Sequence, residues 1–158
     1  MTTIALKDGI LASDTRASVG GKIMSDGFPK IFDVEGEGHS LCGKNVLAYG
    51  LAGFVHSRLM LDSILKEGVQ VGSTLDTDDE FTSIVVTDNG NYYVAKDDDS
   101  SNLRIIEIPD GVHWAIGSGS QVANYVMYRG GDSVKAIIEA CTVDPMSGGD
   151  VVVWSKAE

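Results

Sequence analysis

The 158-residue chain is acidic, with a formal net charge of -11 at pH 7 and 43% hydrophobic residues. That length and apolar share fit one domain over 1–158 with a sizeable core, and the charge argues against a nucleic-acid partner, because little would neutralise phosphates. The apolar runs are too short to span a membrane and no basic or apolar leader precedes Thr2, so a cytoplasmic location is expected.

In chain order, residues 2–7 and 9–14 flank Lys7-Asp8-Gly9, a hairpin signature. Residues 21–25 and 30–34 read as a further pair of short strands, and 45–50 as a buried strand running into Gly50-Leu51-Ala52-Gly53. A helix is predicted over about 54–66, where Leu61, Ile64 and Leu65 keep i, i+3, i+4 spacing before Glu67-Gly68. Residues 81–87 and 91–96 form a second hairpin around Asp88-Asn89-Gly90, and strands at 103–108 and 113–117 flank a Pro-Asp-Gly turn. Two helices follow. One runs from Ser120 to Gly130-Gly131; the other is capped by Asp132 or Ser133, with Val134, Ile137, Ile138 and Cys141 on one face. A last strand covers 151–154. This order predicts helices outside two stacked antiparallel sheets.

Most chemical motifs fall short. The acidic runs 76–80 and 96–102 lack the alternating ligands, central glycine and distal glutamate of a calcium loop, and read as solvated loops. Cys42 and Cys141, without metal-ligand spacing, read as buried or half-buried thiols in a reducing compartment. His39, His56 and His113 have no carboxylate or cysteine arranged with them for a triad or metal, and read as surface or structural residues. Gly117-Ser118-Gly119-Ser120 has the wrong glycine spacing for a nucleophile elbow and no P-loop lysine.

One arrangement needs no histidine. If Met1 is removed, Thr2 bears both a hydroxyl and a free α-amine, which titrates at about 8 in model compounds. The amine can take the hydroxyl proton, directly or through water, and activate a weak nucleophile. With Met1 attached that nitrogen is an amide and the mechanism stops.

Several stretches then resemble, in order, a proteasome β-type subunit of the HslV kind, an N-terminal-nucleophile (Ntn) hydrolase. Thr2-Thr3-Ile4 falls on the family's mature start. Asp14-Thr15-Arg16-Ala17 matches its Asp-[Ser/Thr]-Arg-Ala, and Lys30 follows Asp14 at the family's spacing of sixteen residues. Gly50-Leu51-Ala52-Gly53, Gly117-Ser118-Gly119 and Asp144-Pro145-Met146-Ser147-Gly148-Gly149 match three further segments. The resemblance implies an α+β, four-layer αββα sandwich of two antiparallel sheets flanked by helices. One family helix is missing, because residues 69–75 are too short and turn-rich to form it.

The resemblance also implies roles. Thr2 attacks the scissile carbonyl; Lys30, kept charged by Asp14, stabilises the alkoxide; Ser118, Asp144 and Ser147 orient the terminal amine. The Gly50 N–H serves the oxyanion, Ser18 binds the substrate backbone as an added strand, and Ala17, Phe28, Ala48 and Ala52 line the pocket before the cut. No metal or other cofactor is called for. Expected partners are a peptide or unfolded protein, other copies of the chain in a ring, and an ATP-dependent unfoldase. A catalytically silent scaffold subunit and a small-molecule Ntn amidase are the alternative readings.

Overall fold

In a computed structural model of the protein, which describes residues 2–53 and 57–156, the chain first turns back at Asp8 and Gly9. Their φ values of 52° and 77° are both left-handed, the geometry of a two-residue turn that matches strand twist. The turn joins β1 (Thr3–Lys7) to β2 (Ile10–Ser13). The elements that follow are β3 (Ala17–Val19), β4 (Lys22–Ser25), β5 (Ile31–Asp33), β6 (Ser40–Leu41), β7 (Lys44–Gly53) and α1 (Ser57–Glu67). Then come β8 (Phe81–Thr87), β9 (Gly90–Lys96), β10 (Leu103–Ile108), β11 (Trp114–Gly117), α2 (Ser120–Tyr128), α3 (Ser133–Val143) and β12 (Val152–Ser155). The chain divides into two compact units, Met1–Ile31 with Gly111–Glu158, and Phe32–Asp110.

In the first unit, β11-β1-β2-β12 form a four-stranded antiparallel sheet, with Thr3 opposite Gly117 and Ser13 opposite Val152. Helices α2 and α3 pack on it. Ala5 and Ala12 on the sheet meet Ala123, Met127, Ala136 and Ile137 on the helices, and small residues on both sides let the layers approach closely. Asp132 caps α3 by accepting the Lys135 N–H at 2.7 Å. The Lys7 ammonium donates to the Met127 and Gly131 carbonyls where α2 ends, satisfying groups a helix terminus leaves open.

The second unit is built on the strand order β10-β9-β8-β7-β5, antiparallel from β10 to β7, with β6 also paired antiparallel to β7. Its core is larger in side chain: Leu41, Val46, Tyr49, Leu61, Leu65, Phe81, Val85 and Val94 belong to one buried cluster. Leu61 and Leu65, at i, i+4, are the fully buried face of α1. Between α1 and β8 the chain forms turns and single bridges, Leu41 with Val69 and Thr74 with Asn102, and no helix.

These findings correct the expected architecture. The four-layer αββα sandwich of two sheets flanked by helices is not formed: the described strands lie in three mostly antiparallel sheets, of four, six and two strands, with three helices among the described residues. The two-stranded sheet is β3–β4, turned at Gly20 and Gly21 with φ of 57° and 79°. It is separate because the backbone after β2 leaves its ladder at 14–16, where Thr15 N–H donates to the Gly148 carbonyl. The expected pairing of 21–25 with 30–34 fails for the same reason: β4 pairs with β3, and β5 joins the sheet of β7. The predicted start of α1 at residue 54 lies outside the described residues.

Candidate active site

Thr2 precedes β1 and is 7% exposed. The peptide group that follows it is held on both sides. Its carbonyl accepts the Ser118 N–H at 2.8 Å, and its N–H, that of Thr3, donates to Asp14 Oδ1 at 3.0 Å. Gly117, with φ of 95°, is required at this crossing, because a Cβ there would lie 1.7 Å from the Thr2 oxygen. The β1–β11 register and one carboxylate therefore fix the position of Thr2.

Asp14 is fully buried, which is expensive for a carboxylate unless it is paired and hydrogen-bonded. It is both. The Lys30 ammonium donates to Oδ1 at 2.8 Å, while Oδ2 accepts the Gly148 N–H at 3.0 Å and, at 3.4 Å, the Arg16 N–H. Lys30 is 5% exposed and also donates to the Arg16 carbonyl at 2.6 Å. Burial pushes its ammonium below the ordinary lysine range, against the opposing hydrogen bond and charge of Asp14. Because Oδ1 receives both donors, the ammonium lies no farther from the Thr3 nitrogen than two hydrogen bonds laid end to end.

A second carboxylate organises the other side. Ser118 Oγ and Ser147 Oγ both donate to Asp144 Oδ2, at 2.5 and 2.7 Å, and Met146 N–H donates to Oδ1. Partial burial works against the charged form of Asp144, but those three hydrogen bonds prevail and hold its carboxyl below the ordinary range. Ser147 Oγ also lies 2.7 Å from Thr3 Oγ1, which accepts the Gly119 N–H at 3.1 Å. Since Gly119 is the N-cap of α2 and has no side chain to offer, the Thr3 hydroxyl serves that helix start.

Six expected site residues, Thr2, Asp14, Lys30, Ser118, Asp144 and Ser147, thus fall in the first unit within connected hydrogen bonds. Ala17 and Ser18 lie there too, half-buried on β3 at a bulge, as does half-buried Phe28, whose N–H donates to the Thr15 carbonyl. Gly50, Ala48 and Ala52 belong to β7 of the second unit, buried and opposite Ile84, Val86 and Thr82. Met1 and His56 lie outside the described residues. His39 is buried and structural, as expected: its Nε2 lies 2.9 Å from Asp62 Oδ1, which also accepts the Tyr49 hydroxyl.

Sequence reasoning missed Thr3, Thr15 and Arg16. Thr15 Oγ1 reaches the Asp26 and Asp150 carbonyls at 2.7 and 2.9 Å, and the Arg16 guanidinium binds Asp26 and the Pro145 carbonyl. All three stand inside the matched motifs, so the signal was proximity to Thr2 and Asp14. Among the described residues no group of three or more His, Cys, Asp or Glu side chains is placed to hold a metal ion. None of the described helices is long and apolar enough to cross a membrane. Cys42 and Cys141 are free, half-buried thiols, and burial pushes the Cys141 thiol up.

No protein-family model matches the chain, and no curated protein matches its sequence. Its fold is similar to the solved structure of Thiobacillus denitrificans BPH, with a TM-score of 0.61 over 98% of this chain and 96% of that one, at 16% identity. At that identity the likeness concerns the fold alone.

Proposed function

We propose that the chain is a threonine-type peptide hydrolase of the proteasome β/HslV kind, acting through Thr2 once its α-amine is freed by removal of Met1. One observation carries the reading: a single buried oxygen, Asp14 Oδ1, receives both the Lys30 ammonium and the N–H that follows Thr2. Both bonds hold a positive charge within two hydrogen bonds of the peptide group that follows the proposed nucleophile, in a buried site where charge acts more strongly.

The reaction is acyl transfer in two halves. The Thr2 amine takes the hydroxyl proton as Oγ adds to the substrate carbonyl, and the Lys30 ammonium stabilises the oxygen as it loses that proton. The C–N bond then breaks, and the departing amine takes the proton back from the Thr2 ammonium. Water, deprotonated by the same amine, adds to the ester carbonyl; the C–Oγ bond breaks, the acid product leaves, and the Thr2 ammonium returns its proton to Oγ. The charged Asp144 with Ser118 and Ser147 forms an acceptor-rich cluster suited to orienting an ammonium. A cytoplasmic homo-oligomeric ring, unfolded chains as substrate and an ATP-dependent unfoldase belong to the same reading.

The test is turnover of fluorogenic peptides by protein whose mass has fallen by one methionine. The expected result is cleavage, abolished in Thr2→Ala. Processed protein that ignores peptides but cleaves a small acyl amide is an amidase instead, and protein inert to both is a scaffold.

A further inference from the structure

The Arg16 guanidinium is unassigned by the reaction above, yet it joins the segments that build the site. Its Nε and one terminal nitrogen grip both Asp26 carboxylate oxygens, at 2.8 and 3.2 Å, and the other terminal nitrogen donates to the Pro145 carbonyl at 3.1 Å. Its face lies on Gly148, where a Cβ would stand 2.4 Å from Arg16 Cζ. Gly148 in turn donates its N–H to Asp14 and accepts that of Thr15. Meanwhile the Arg16 backbone carbonyl receives the Lys30 ammonium at 2.6 Å.

We infer that Arg16 is a positioning residue for Lys30: its guanidinium staples the 14–16 turn to the 26–30 stretch and the 144–148 loop, and so aims its own carbonyl at the ammonium. The planar fork is what does this, since it meets a carboxylate with two parallel bonds and a carbonyl with a third; lysine supplies the charge without the fork. The role in catalysis rests on the peptidase reading, but the aiming of Lys30 does not.

Two variants test it without removing a charge. Arg16→Lys loses the fork. Gly148→Ala displaces the guanidinium by its methyl group, at a position whose φ is not left-handed. In both, the loosened carbonyl stabilises charged Lys30 less. Its titration, followed by NMR on lysine-labelled protein and identified by its absence in Lys30→Met, moves to lower pH, and the alkaline limb of the rate profile moves with it. Turnover falls about 10- to 100-fold in kcat with KM nearly unchanged, as misplacement of a catalytic group predicts. The double variant is little worse than Arg16→Lys alone, because both remove one device. An unmoved Lys30 titration in both variants overturns the inference. A moved titration in protein whose wild type never cleaves peptides upholds the aiming and sinks only the peptidase reading.

Discussion

The two units of the chain use their interiors differently. In the second, burial falls on large apolar side chains such as Tyr49, Leu61, Leu65, Phe81 and Val94. In the first, the cluster shared by the sheet and its helices is mostly alanine; Ile4, Leu6 and Leu11 are buried as well, but so are Thr2, Thr3, Asp14, Thr15, Lys30 and Ser147. An ion pair removed from water rarely gains over a well-packed apolar pair. Burying Asp14 and Lys30 together is thus a poor device for stability, and the reaction we propose rests on that pair in the first unit.

That contrast can be broken experimentally. The largest effect is expected for Asp14→Ala, which leaves the Lys30 ammonium buried without its carboxylate: about 3–5 kcal/mol of stability is lost, and peptide turnover falls to background. Urea denaturation and a fluorogenic assay check the two parts. In the second unit, Leu61→Ala removes a fully buried side chain and costs about 2–5 kcal/mol through transfer and cavity terms. Turnover per folded molecule is expected to survive it. If Leu61→Ala abolishes turnover in folded protein, the division of labour is wrong.

A smaller effect concerns acid. The Asp144 carboxyl titrates below its ordinary value of 3.8 in the folded protein. It therefore favours folding at pH above that ordinary value and gives up its contribution as pH falls through the lower folded value. Asp144→Asn should lower stability at neutral pH and flatten the loss of stability below about pH 4; equal acid sensitivity in both proteins contradicts the network. The smallest effect is Arg104→Ala, which breaks an exposed pair with Asp97 whose side chains are 57% and 48% accessible. It should change stability by less than about 1 kcal/mol in the same urea experiment.

Local signals made much of this legible. The turns at Asp8-Gly9 and Asp88-Asn89-Gly90 and the Asp132 cap are written in short-range chemistry, and each stands where residue type placed it. Pairing partners were less readable. Alternation marks a strand but not its neighbour, so the pattern pairs 21–25 with 30–34 where the structure pairs β4 with β3, and the two-residue β6 carries no signal. The layer arrangement failed for a related reason: strand count does not say how many sheets the strands form. At the site, Asp14 and Lys30 are legible only through the family resemblance, whose aspartate motif and sixteen-residue interval they match. Thr3 and Arg16 act through bonds to backbone groups 116 and 129 residues away in sequence, which no local pattern encodes.

The central claim is that the α-amine of Thr2 is the proton acceptor for its own hydroxyl. The direct measurement compares peptide turnover by one preparation with that amine free and with it chemically acetylated, lysines being protected in both. The account predicts that turnover is lost on acetylation while the fold, by circular dichroism, stays intact. Undiminished cleavage by the acetylated protein would contradict it.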